Sequence, residues 1–334
     1  MTSLSSLLNG THPLPDCNTS ALDAAQLRQN QLTKPQGSLG RLEELALWMA
    51  SWQGTDRPTL DAGSCLIFAG NHGITKRGIS AFPADVTAQM VANFTHGGAA
   101  INQLCDTAGL TLSVTPLSLE TPTADFSAGP AMSHDDVLSA FQAGIDAIPS
   151  NCDYLVFGEM GIGNTTSAAA LCAALFGGQG ADWAGRGTGL DDEAVAAKAA
   201  VIDEALLRHG RSFDSPQALL SAYGGRELAA IAGGVLGARA RRIPVMLDGY
   251  VCCAAAASLT LLNNVALDHC QISHLSAEQA HGTLSDALGK TPLLSLNMRL
   301  GEASGGAVAT LLVRAALATH NGMASFAEAG VSGG

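Results

Sequence analysis

Short apolar runs alternate along this chain with stretches in which apolar positions recur every three or four residues. The runs predict strands over residues 65–69, 110–114, 154–157, 245–247, 271–273 and 293–296. The helical periodicity predicts helices over 21–32, 84–94, 165–175, 192–209, 226–239, 251–261, 277–288 and 305–318. Lys34-Pro35-Gln36-Gly37 ends the first helix, and Ser38 is the expected cap of another, with Leu39, Leu42, Leu45, Ala46 and Met49 on one face. Residues 54–63 read as a polar linker, and the Pro/Thr/Ser/Asp-rich 118–136 segment as an irregular loop. Alternating strands and helices argue an α/β fold: a mostly parallel, Rossmann-like sheet with helices on both faces. The two N-terminal helices precede the first strand. They predict a small helical subdomain over 1–60, joined by the C-terminal helix, beside an α/β domain over 61–334.

Composition narrows the function classes. With 334 residues, the chain can bury a sizeable core. A net charge of −12 argues against nucleic acid or an anionic membrane as the main partner, so any anion must be held by local geometry. The N-terminal residues show no basic region followed by an apolar one, and the longest apolar stretch, 251–262, is too short to span a bilayer. The eight cysteines include adjacent Cys252 and Cys253 but no C-x-x-C pair, which predicts buried free thiols in a reducing cytoplasm rather than a metal site.

The chemistry gathers at predicted strand ends, where open parallel sheets bind ligands. After the 154–157 run come Gly158, Glu159, Gly161 and Gly163, and then Asn164, Thr165 and Thr166 open an Ala-rich helix. A glycine turn feeding a helix N-terminus offers backbone N–H groups and a positive dipole end to a phosphate. Glu159 inside that turn would repel a phosphate unless it faces a cation, so the pairing points to a substrate both phosphorylated and positively charged. Gly70-Asn71-His72-Gly73, Asp248-Gly249, His274-Leu275-Ser276-Ala277-Glu278 and the 298–306 segment occupy equivalent places. Several alternatives stay open. His72 either faces substrate or is a hydrogen-bonded turn residue, and Asp248 either touches substrate or caps the next helix. Glu278 and His281, three apart, are either site residues or a surface pair. Lys198 either reaches a phosphate or is solvated. Gly185-Arg186-Gly187-Thr188-Gly189 lacks dinucleotide spacing and reads as a loop that approaches a ligand closely. Glu302, set among small residues, has the placement of a general base with a raised pKa.

Taken together, Lys34-Pro-Gln-Gly-Ser-Leu-Gly-Arg-Leu-Glu43, Gly158-Glu-Met-Gly-Ile-Gly-Asn-Thr-Thr166, Gly185-Arg-Gly-Thr-Gly189, Pro244-Val-Met-Leu-Asp-Gly249, His274-Leu-Ser-Ala-Glu278, Arg299-Leu-Gly-Glu302 and Glu328-Ala-Gly-Val-Ser332 resemble the nicotinate-nucleotide–dimethylbenzimidazole phosphoribosyltransferase family. The blocks span nearly the whole chain. The resemblance implies transfer of the 5-phosphoribosyl group from nicotinate mononucleotide to 5,6-dimethylbenzimidazole, giving α-ribazole 5′-phosphate and nicotinate for cobalamin assembly. It implies a homodimer and no cofactor, and no metal, because nicotinate leaves with a neutral ring nitrogen. It assigns Glu302 as the general base and Glu159 as a second catalytic carboxylate. The implied substrate contacts are Gly161, Gly163, Asn164, Thr165, Gly187, Gly189, Lys198, Asp248, Ser276 and Leu300, with His72, Pro83 and Met90. Other acceptors such as adenine or a phenol, and a non-catalytic nucleotide-binding regulator, are the competing readings. An oxidoreductase is disfavoured, since no dinucleotide fingerprint follows a strand. Three departures stand out: Asn71 where relatives commonly carry Asp, Ala303-Ser304-Gly305-Gly306-Ala307 where Gly-Ser/Thr-Gly-Ala-Ala is common, and a short 118–128 loop.

Overall fold

The structure is a computed structural model that describes residues 4–8, 13–187 and 189–332. Five parallel strands form its sheet: β1 (Gly63–Ala69), β2 (Thr111–Pro116), β3 (Tyr154–Met160), β4 (Val245–Leu247) and β5 (Cys270–Ile272), in the order β2-β1-β3-β4-β5. All four pairings are parallel. β1 and β3 are buried along nearly their full length, which explains why they read as unbroken apolar runs. The chain runs from β1 outward to β2 and then returns to β3 on the other side. The strand order therefore reverses beside β1 and β3, where the outgoing loops diverge and leave a crevice.

Two apolar layers cover the sheet. One joins Leu66, Phe68, Leu155 and Phe157 to the Asn164–Phe176, Arg226–Ala240 and Tyr250–Ala257 helices. The other joins Cys65, Ile67, Tyr154, Val156 and Met246 to the Arg41–Gln53, Ala100–Ala108 and Ser304–Gly322 helices. The N-terminal Arg41–Gln53 helix thus shares a core with the sheet through Leu45, Trp48, Met49 and Trp52. All eight cysteines are free thiols, seven of them buried.

Several sequence expectations need correction. Residues 293–296 form no strand. Leu294 makes a single parallel bridge to His274, with Leu293 N–H donating to Ile272 O and Leu294 N–H to Ser273 O. Pro292 lacks an N–H, and Asn297 turns to φ 56°, so pairing cannot extend in either direction. Ser38 is not a cap. It lies in a turn, Gly40 precedes the helix, and the Glu43 carboxylate accepts from Leu39 N–H while pairing with Lys34 at 2.8 Å. The predicted 277–288 helix begins only at His281, because Ser276 fixes a turn ahead of it: its N–H donates to His281 Nδ1 and its Oγ accepts from Glu278 N–H. Glu278 and His281 are both buried, so the surface-pair alternative fails. Helices Ala100–Ala108, His134–Asp146 and Pro216–Tyr223 are additions to the elements expected from periodicity. Ser133 caps the second, so the 118–136 loop ends earlier than expected. Ser215 and Pro216 open the third.

Candidate active site

Loops leaving β3, β4 and β5 converge with the turn before the Ser304–Gly322 helix on one cleft. Glu159, Gly161, Asn164, Thr165, Gly187, Ser276, Leu300 and Glu302 line it. A narrower recess continues past Gly161, Asn164, Thr165 and Gly187 to Gly163, Ser80 and Lys198. Most residues singled out from sequence therefore meet in one place.

The rest do not line the cleft. His72 is sealed beneath the β3 turn, its Nε2 hydrogen-bonded to Glu227 and its Nδ1 3.2 Å from Ser167 Oγ. Asp248 is fully buried, and its Oδ1 accepts from Gly306 N–H at 2.9 Å, so it anchors the start of the Ser304–Gly322 helix rather than capping its own. Pro83 is exposed and Met90 half-buried. Pro83 precedes and Met90 lies in the Val86–Thr95 helix, where Thr87 Oγ1 accepts from Ile162 N–H at 3.1 Å and ties that helix to the β3 turn. Gly189 lies on the loop beside Gly187 with φ 127° but lines neither space.

The recess, expected from sequence to take a phosphate, is built differently from a bare glycine turn. Three N–H groups of the turn are already spent: Ile162 on Thr87, Asn164 on Gly161 O and Thr166 on Gly163 O. Lys198 supplies the charge instead. It is 1% exposed, donates to Thr165 Oγ1 at 2.7 Å and Gly185 O at 3.2 Å, and forms no ion pair among the described residues. Burial lowers its pKa to about 8. The solvated-surface alternative for Lys198 is therefore excluded. Arg299 donates to Gly187 O at 2.9 Å and holds the loop over this recess.

The opposite end is carboxylic. Glu302 is 6% exposed, and its carboxyl has no hydrogen-bond or ion-pair partner among the described residues. Burial raises its pKa to about 7. Glu159, bonded to Asn164, is raised to about 8 by burial and by the nearby Asp248, Glu227 and Glu302 carboxyls, while Asp248 is raised by burial to about 7. An entering cation would favour the ionised form of every member of this group. Three consecutive residues, Gly301, Glu302 and Ala303, have positive φ of 80°, 60° and 64°. Such backbone costs energy and persists only where the surroundings impose it. Here the imposing contacts are close: Ala303 packs on Gly158, Gly305 on His274 and Gly306 on Val156, each at a glycine that leaves no room for a Cβ. Ala303 thus holds a left-handed backbone, φ 64°, that a non-glycine residue rarely adopts.

A Cβ at Gly301 would both strain φ 80° and collide with Glu159 Oε1. Gly301→Ala is therefore expected to lower unfolding free energy by about 1–2 kcal/mol, read from urea denaturation. A midpoint indistinguishable from the parent would mean that this turn is not held in place by Glu159.

Sequence reasoning missed Glu227, a wholly buried carboxylate at the start of the Arg226–Ala240 helix. Its one signal is an acidic residue just after the paired Gly224-Gly225. Asn71 also gains a reason: its Nδ2 donates to Leu119 O at 2.8 Å, which an ionised Asp could not do.

Comparison with known proteins agrees with this arrangement. A family model described as phosphoribosyltransferase matches residues 14–331. The nicotinate-nucleotide–dimethylbenzimidazole phosphoribosyltransferase of Ruegeria sp. (strain TM1040) is 56% identical over 100% of this chain and 99% of its own length. The protein of the same name from Jannaschia sp. (strain CCS1) is 57% identical over 92% of this chain and 91% of its own. The crystal structure of the Thermus thermophilus protein of that name superposes with a TM-score of 0.87 at 37% identity, covering 95% of this chain and 100% of that one.

Proposed function

The chain belongs to the nicotinate-nucleotide–dimethylbenzimidazole phosphoribosyltransferase family, and from that premise we propose how its cleft performs the reaction. The enzyme transfers the 5-phosphoribosyl group of nicotinate mononucleotide to 5,6-dimethylbenzimidazole in assembly of the cobalamin lower ligand. One acceptor ring nitrogen attacks C1′ of the donor ribose. The C1′–N bond to nicotinate breaks, and its electron pair returns to the pyridine nitrogen, which leaves neutral. The proton on the acceptor's second nitrogen passes to Glu302. Positive charge at the sugar in the transition state is stabilised by Glu159. The donor phosphate sits in the recess against Lys198, Thr165 and Gly187, with Ser276 on the ribose side and Leu300 against the acceptor ring. Asp248 and His72 act from beneath. The observation that carries this reading is Glu302: a buried carboxyl, without a partner among the described residues, with a pKa near neutrality in the wall of the cleft.

We also read the protein as a homodimer, because Leu275, Leu296 and Leu300 leave large apolar side chains exposed on segments bordering the cleft. The helical lobe over 1–60 joined by the C-terminal helix is supported by Arg28, which donates to the carbonyls of His320, Asn321 and Met323.

Because the pyridine nitrogen departs neutral, no negative charge builds on the leaving atom that a metal ion would have to neutralise. Incubation with nicotinate mononucleotide and a panel of ring acceptors, followed by mass identification of products, is expected to show ribazole phosphate formed equally well after exhaustive chelation. Turnover abolished by EDTA and restored by magnesium would overturn the pyridinium-donor mechanism.

A further inference from the structure

Glu278 has no task in the mechanism above, yet it is 8% exposed in the cleft wall. Its backbone is fully used: N–H donates to Ser276 Oγ at 3.2 Å, and the carbonyl accepts from His281 N–H at 3.1 Å. Its carboxylate is not used at all. Oε2 is buried without a hydrogen-bond partner and lies against the Cα of Gly185, where any Cβ would overlap it. No ion pair or hydrogen bond reaches either oxygen from the described residues, and Lys198 influences it only at a distance. Keeping a carboxylate dry and unpaired is costly, and the cost is recovered when a ligand brings donors to it.

The position along the cleft indicates which donors. Lys198, Thr165 and Gly187 mark the phosphate end, and Glu302 and Leu300 the ring end. Glu278 lines the same cleft as both ends, beside Ser276 and with its Oε2 against Gly185. The part of a nucleotide between phosphate and ring is the ribose, whose vicinal diol offers two O–H donors. An ionised carboxylate is acceptor-only, and its two oxygens match that pair.

We propose that Glu278 makes the enzyme selective for a ribosyl over a deoxyribosyl donor by accepting hydrogen bonds from the 2′- and 3′-hydroxyls. This rests on the donor assignment above. The geometry also answers why residue 185 is glycine: a side chain there would push the carboxylate out of the wall.

The test compares kcat/KM for nicotinate mononucleotide and its 2′-deoxy and 3′-deoxy counterparts, in the parent enzyme and in Glu278→Gln, with thermal midpoints recorded for both. A charged-acceptor hydrogen bond predicts a parent preference of about 10- to 100-fold for the ribosyl donor over at least one deoxy donor. In Glu278→Gln that ratio falls towards one, because the ribosyl donor loses its advantage. If the amide variant does not fold, Glu278→Asp, still charged but shorter, is expected to lower the ratio as well. A parent enzyme that uses the three donors equally, or a ratio unchanged by either substitution, overturns the proposal; the latter is the result for a carboxylate that merely balances Lys198. A parent enzyme that turns over none of the donors with any acceptor refutes the donor assignment instead.

Discussion

Glu302→Gln is expected to lower kcat by roughly 10²–10⁴-fold, the usual contribution of a positioned general base, with little change in donor KM. Gln matches Glu in size, so the packing around Ala303 and the helix beginning at Ser304 is kept. What is lost is the ability to accept a proton from the acceptor ring. The pH profile gives a second reading of the same residue. Its pKa is raised by burial to about 7, and under the proposed mechanism the active form is the ionised one. The sign follows: with donor bound, which favours the ionised carboxylate, kcat/KM in the parent enzyme climbs about tenfold per pH unit below an inflection lying under 7 and levels off above it, and Glu302→Gln removes that rise. Stopped assays across pH 5 to 9 with saturating donor measure both, and full activity of the variant at neutral pH would remove Glu302 from the mechanism.

The second large effect falls on the donor. Lys198→Ala is expected to raise the KM for nicotinate mononucleotide by roughly 10- to 100-fold, the worth of a hydrogen bond to a charged group in a dry site, while the acceptor KM stays near its parent value. Thr165 Oγ1 and Gly185 O already take two of the ammonium's three donors, which leaves one for the phosphate. Lys198→Met, closer in volume, separates this charge effect from the cavity that Ala leaves. The charge also has a pH signature. Burial lowers the pKa to about 8 in the empty site, so the ammonium is lost as pH rises through that value and donor affinity falls with it. Glu159, raised to about 8 by burial, works in the opposite direction, since its ionised form favours the pyridinium. Donor binding measured between pH 7 and 9 in the parent and in Lys198→Met isolates the lysine's share. An unchanged donor KM in both variants would place the phosphate elsewhere.

Much of this architecture is legible locally. β4 and the Asp192–His209 helix have the bounds read from periodicity alone. Buried parallel strands are continuous apolar runs, and helices longer than about ten residues repeat their apolar face often enough to register. Ala100–Ala108 and Pro216–Tyr223 escape because each is too short to repeat its pattern, and His134–Asp146 because its polar first turn continues a stretch that looks like loop. The 293–296 run failed for the opposite reason: it is apolar enough for a strand but lies at a sheet edge where Pro292 and Asn297 limit pairing to one bridge.

The chain itself determined the five strands of the sheet in their chain order and most of the longer helices, the glycine turn after β3, the identity of Glu159, Lys198 and Glu302 as site candidates, and the family signature. These depend on residues close together in sequence or on motifs quoted whole. Tertiary structure alone decided the protonation chemistry and the division of labour. Glu302 titrates near neutrality because its surroundings deprive it of water, and no described residue pairs with it. Lys198 turns inward because Gly185 and Thr165, from separate elements, accept its protons. His72 and Asp248 became supports when Glu227 and Gly306, more than fifty residues away, claimed their polar atoms. Desolvation and pairing are properties of three-dimensional neighbours, and no local pattern encodes which distant residue will be the neighbour.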